Sequence, residues 1–138
     1  MRSSYTDRCI LKASYLLKEL LEDYALGHIY KTIATFWEVI ELLLRAIIYA
    51  KKKTTYEKPR KLINEYIRIA DMPKGILACL NLLYELRKKV VHKALILKKE
   101  SMELAKDMFC KVIKTLLRDI AMKDLYGIEE KIKNLCTD

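Results

Sequence analysis

With 138 residues, 52% of them hydrophobic and 33% charged, the chain suits one domain with one core and is too apolar to stay disordered. Its net charge of +9 attracts polyanions without a dedicated motif, while 3 Gly and 2 Pro leave too few breaks for a fold of many short strands. No run of about 18 uncharged apolar residues is present, which excludes a membrane-spanning helix.

The start, Met1-Arg2-Ser3-Ser4-Tyr5, is polar and lacks the apolar centre of a signal peptide. The four cysteines, Cys9, Cys79, Cys110 and Cys136, each fall in an apolar-periodic segment, and none forms a C-x-x-C pair. Buried free thiols in a reducing compartment are therefore expected, in a soluble cytoplasmic protein. Gln is absent, and Lys, Glu, Ile and Leu are plentiful, a composition that leans towards heat adaptation.

Taken in order, the first predicted helix covers residues 7–25, with Ser4, Thr6 or Asp7 as caps and Ile10, Ala13, Leu17, Leu20, Leu21 and Tyr24 on one face. Gly27 tolerates the left-handed conformation of a helix end and supplies the stop. A second helix, 28–52, carries an apolar stripe that includes Ile33, Phe36, Trp37, Ile40, Leu43, Leu44 and Ile47. Glu38, Glu41 and Arg45 lie opposite, and Glu41 and Arg45 are spaced for an ion pair worth about 0.3 kcal/mol. Lys51, Lys52 and Lys53 suit the negative end of that helix dipole.

A short third helix, 59–70, opens on Pro59, whose missing amide costs nothing in a first turn. Asp71-Met72-Pro73-Lys74-Gly75 breaks the chain before a fourth helix, 76–97. Ile76, Cys79, Leu80, Leu83, Val90, Ala94 and Leu97 form one stripe there, and Leu77, Tyr84, Val91 and Leu95 a second beside it. So wide an arc predicts a helix buried on two sides, one in the bundle and the other against a second subunit. Ser101 is the expected cap of a fifth helix running to 122, and Gly127 precedes a short last helix with Ile128, Ile132 and Leu135 inward. The reading is a single all-α domain over 1–138, an up-and-down bundle of about five helices plus a short C-terminal one.

Most standard sites are missing. The 2 histidines lie far apart with no acids at metal spacing, and the glycines are isolated, so neither a zinc centre nor a phosphate loop is expected, and no metal or cofactor. His28 reads as a solvated first-turn residue, and the cysteines sit in core-like stripes where thiols are inert. What remains is Arg87-Lys88-Lys89-Val90-Val91-His92 in the fourth helix.

Together with the helix order and Trp37-Glu38-Val39-Ile40-Glu41 in the long second helix, this motif resembles the HEPN family, whose hallmark is an Arg followed four to six residues later by a His. The resemblance covers residues 7–122. It implies a homodimer joined through helix 76–97 and a metal-independent endoribonuclease of toxin or defence type, with Arg87 and His92 as the catalytic pair. Lys88 follows Arg87 where many active members carry Asn or Asp. Ala94 stands where one branch carries a Tyr that a nucleotidyltransferase partner modifies.

The chemistry fits those residue types. Attack by the 2′-hydroxyl of RNA needs a proton acceptor near neutrality, which imidazole supplies. The transition state gathers negative charge that a guanidinium binds in bidentate fashion. Lys88, Lys89 and Lys93 would add positive potential for the RNA backbone.

On a straight helix, residues five apart point about 140° away from each other, so Arg87 falls inside the apolar arc and His92 near its polar edge. A two-fold dimer along this helix would gather two of each in one cleft. Three alternatives stay open. Arg87 snorkels beside the core and pairs with Glu38 or Glu41, leaving His92 an ordinary surface residue. An idle module of the same shape docks a nucleotidyltransferase, an antitoxin or another protein. The basic surface alone binds nucleic acid without specificity.

Overall fold

The computed structural model describes residues 4–92, 96–120 and 125–137. Among them are six α-helices, α1 (Ser4–Leu26), α2 (Ile29–Lys52), α3 (Pro59–Ile69), α4 (Lys74–Val91), α5 (Lys99–Leu117) and α6 (Ile128–Cys136), with a single 3₁₀ turn over Leu125–Gly127. No strand occurs among the described residues, so the all-α bundle with a short C-terminal helix is the architecture.

Gly27 and His28 alone join α1 to α2, and Gly27 takes φ +75°, the left-handed turn foreseen for it. The pair forms a hairpin. Its corner is pinned by Asp23, whose carboxylate lies 3.0 Å from His28 Nδ1 and 3.4 Å from Lys31 Nζ. Lys53 closes α2 with φ 57°, its N–H donating to the Tyr49 carbonyl. The Glu41–Arg45 pair forms at 3.3 Å, as the spacing requires.

The helix packed on the most sides within the chain is α2, while α4 lies against α2 and α5. Helix α2 packs against α1, α3, α4 and α5, and it buries Val39, Ala46 and Ile48 as well as its main stripe. Helix α4 fully buries Leu80 and Leu83 only. Polar positions of α2 are hidden as well. Thr32 and Thr35 are buried on it, and the Thr35 hydroxyl is satisfied by the Lys31 carbonyl at 2.8 Å.

Phe36 of α2 stacks on Phe109 of α5 with ring centroids 4.7 Å apart, and Trp37 meets Tyr84 of α4 at 5.1 Å. Helix α3 is tied on by buried Glu65, which accepts from Lys52 at 2.8 Å, and by Tyr66, whose hydroxyl donates to Asp119 at 2.6 Å. Burial, and then the Asp119 carboxylate, push the Tyr66 phenol well above its ordinary range.

Several boundaries move, α1 beginning at Ser4 rather than 7 and α4 at Lys74 rather than 76. Helix α4 stops at Val91 rather than 97, with His92 as its C-cap. Helix α5 ends at Leu117, short of 122. It begins with Lys98 as N-cap, so Ser101 acts from inside the first turn, its hydroxyl accepting the Lys98 N–H at 3.3 Å.

The expectation of four free thiols is also corrected. Cys110 of α5 and Cys136 of α6 form a disulfide across a Cα separation of 5.8 Å, while Cys9 and Cys79 remain free. Cys136 falls at the end of α6, whose apolar side packs beside α5, and sequence separation hid that proximity. Among the described residues, no helix is long and apolar enough to cross a membrane.

Candidate functional site

Helix α4 sets the geometry of the Arg-to-His motif. Leu80 and Leu83 point into the core, and Arg87 follows them at three- and four-residue steps, so its side chain leaves the helix on the same face. There it meets α2. The guanidinium Nη2 lies 3.9 Å from Glu38 Oε1, and the side chain stays 30% exposed. That separation is an ion-pair contact and too long for a hydrogen bond. Arg87 Nε is buried and has no hydrogen-bond partner.

His92 is exposed at the end of α4, its backbone N–H donating to the Lys88 carbonyl at 3.1 Å. Because α4 is regular through Val91, the separation of about 140° between the two side-chain directions stands within one chain. The structure therefore does not bring Arg87 and His92 together in a single subunit. It realises the Arg87–Glu38 contact weighed above as the structural role of that arginine.

The neighbouring cations are unequal. Lys88 pairs with Glu85 at 3.0 Å and lies 4.7 Å from the Tyr84 ring centre, so its charge is partly spoken for. Arg60 of α3 also lies over that ring at 5.0 Å, donates to Asn81 Oδ1 at 2.9 Å and forms an ion pair with Glu85 at 3.6 Å. Lys89 is exposed and has no ion-pair partner among the described residues. Lys93, Ala94 and Leu95 lie outside the described residues.

Apolar side chains are uncovered at the same end of α4. Val91, one turn beyond Arg87, is 51% exposed, and Ile96 is 87% exposed. Of the second stripe, Leu77 and Tyr84 are half-buried inside the chain, and Val91 is the exposed member among the described residues. Leu97 then turns inward, its N–H donating to the Tyr30 hydroxyl at 3.0 Å.

The Asp23–His28–Lys31 corner escaped the sequence reading. The His28 hydrogen bond holds the Asp23 carboxyl below the usual carboxylate value, with Lys31 acting in the same direction against the burial. Only the aspartate five residues before His28 hinted at the pair, across a turn that makes helical spacing useless. Among the described residues, no group of three or more His, Cys, Asp or Glu side chains is placed to hold a metal ion.

Comparison with protein-family models, with curated proteins and with solved structures finds nothing that matches this chain.

Proposed function

We propose that the chain is a metal-independent endoribonuclease of the HEPN kind, acting as a homodimer in a toxin or defence role. The observation that carries this reading is the state of Arg87. Its guanidinium is reachable from solvent and, among the described residues, is engaged by a 3.9 Å ion pair with Glu38 alone. Donors are left for a phosphate, which a guanidinium grips with two parallel hydrogen bonds.

The catalytic pair is completed across a two-fold axis beside Val91 and Ile96, where the exposed apolar side chains of two copies cover each other. His92 of one subunit then takes the proton of the 2′-hydroxyl as its oxygen bonds to the adjacent phosphorus. The P–O5′ bond breaks, the 5′-oxygen leaves as a hydroxyl after taking a proton from solvent, and Arg87 neutralises the charge that gathers on the phosphoryl oxygens, so that a 2′,3′-cyclic phosphate remains. Lys89 and Lys93 attract the backbone, and Lys88 contributes less because Glu85 already pairs with it.

Purified protein incubated with single-stranded RNA in EDTA is expected to leave 2′,3′-cyclic ends. His92→Ala or Arg87→Ala should lower the rate by about 100-fold or more. Intact RNA after prolonged incubation, or undiminished cleavage by His92→Ala, would sink the proposal.

The Arg87–Glu38 contact favours a second reading, in which the bundle is catalytically idle and docks a nucleotidyltransferase or antitoxin. A partner that co-purifies, with RNA untouched and Arg87→Ala without effect beyond stability, decides for it. Either protein works in the cytoplasm. The Cys110–Cys136 bond fits that compartment in a heat-adapted organism, where intracellular disulfides are common.

A further inference from the structure

Arg8 and Lys12 have no structural employment. Both are exposed on α1, and neither has an ion-pair partner among the described residues. They share a helix face with Tyr5 and Cys9, because the four follow one another at helical steps. Across from them, Glu41, Leu42 and Arg45 of α2 complete a groove of about 390 Å³.

Three cations line the groove against one carboxylate, and that carboxylate is occupied. Glu41 accepts from Trp37 Nε1 at 3.3 Å and from Arg45 at 3.3 Å. Arg45 is itself held in place, donating to the Glu57 carbonyl at 3.2 Å and to Thr55 at 3.5 Å. Tyr5 steadies the rim, bonding Thr55 at 3.0 Å with its ring 4.6 Å from that of Tyr49. Cys9 is the buried residue beneath. Burial raises its thiol pKa, opposed first by the Tyr5 hydroxyl and then by Arg45, Arg8 and Lys12, the three cations that line this one groove.

The groove is also in line with Arg87. Glu38, which meets Arg87, and Arg45 lie seven residues apart on α2, hence on one face and separated by about 10 Å along the axis. We propose that Arg8, Lys12 and Arg45 form a subsite for a phosphodiester of the RNA strand, further along the chain from the phosphate held by Arg87. This rests on the RNA-cleaving reading above. Arg45 supplies the fixed guanidinium, and Arg8 and Lys12 close on the phosphate as mobile charges.

A fully 2′-O-methylated single strand, which lacks the attacking hydroxyl, measures binding apart from cleavage. With the full chain, Arg8→Ser/Lys12→Ser should weaken that binding about tenfold near 0.1 M salt and reduce the salt slope by about 1. The charge-matched control Lys111→Ser/Lys114→Ser, on exposed positions of α5, should lose far less. Equal losses in the two double variants overturn the subsite, because they report net charge alone.

Pyrophosphate and a mononucleotide test the other source of the same chemistry. If either binds in a manner that needs Arg8 and Lys12 while RNA affinity ignores them, the RNA assignment is overturned in favour of a free phosphate compound. A chain that never cleaves natural RNA, yet grips the methylated strand through Arg8 and Lys12, removes the nuclease and leaves the subsite standing. Cleavage that proceeds with unchanged KM in the Arg8→Ser/Lys12→Ser variant does the reverse.

Discussion

Arg87 occupies a place in the α4 pattern that an apolar residue would ordinarily fill, and it survives there through Glu38 and its partial exposure. Placing it inside the apolar arc needed only helical geometry, and Glu38 was one of two acids within sequence-level reach. The Asp23 corner is a different case. A carboxyl held below its unfolded value stabilises the fold above that value and loses the contribution as pH falls through the folded one. Asp23→Asn is accordingly expected to lower the melting temperature by a few degrees near neutrality. The gap to the parent protein should close below about pH 4, where the unfolded carboxyl takes up its proton. Thermal melts between those limits check this, and a gap independent of pH would show that the Asp23 carboxyl titrates alike in the folded and unfolded chain.

Among the elements, α6 is a short one, packed against α1 and α5. It buries Ile128, Ile132 and Leu135, Lys131 Nζ donates to the Ser14 hydroxyl at 2.6 Å, and the disulfide anchors its end to α5. The bridge closes a segment of 26 residues, for which the chain-entropy estimate is about 3.5 kcal/mol. Cys136→Ser is expected to cost about that much in chemical denaturation. A reductant should bring the parent protein down to the same midpoint while leaving the variant unmoved. Equal midpoints with and without reductant in the parent protein would contradict it. The sequence reading failed here because burial of a cysteine says nothing about what lies 26 residues away.

At the scale of the whole molecule, α2 is the axis on which α1, α3, α4 and α5 assemble. Val91 at the end of α4, and Ile96 after it, stay uncovered in that arrangement. If that end is where two copies meet, Val91→Glu/Ile96→Glu should convert a dimer to a monomer in light scattering with the helical circular dichroism retained. A parent protein already monomeric at micromolar concentration, or a double variant still dimeric, removes the composite site and the cleavage mechanism with it.

The helices, their order and the turn at Gly27 were decided by the sequence alone, because each rests on interactions three or four residues apart. The Glu41–Arg45 pair and the inward direction of Arg87 belong to the same class. Which helix lies at the centre, which cysteines bond, and which charges converge on Cys9 were settled only by the tertiary structure. These depend on which faces of distant helices meet, and an apolar stripe specifies that a face is buried without specifying its partner. His92 shows the boundary between the two. Its spacing from Arg87 is written in the chain, but its distance from any guanidinium depends on how folded surfaces pack.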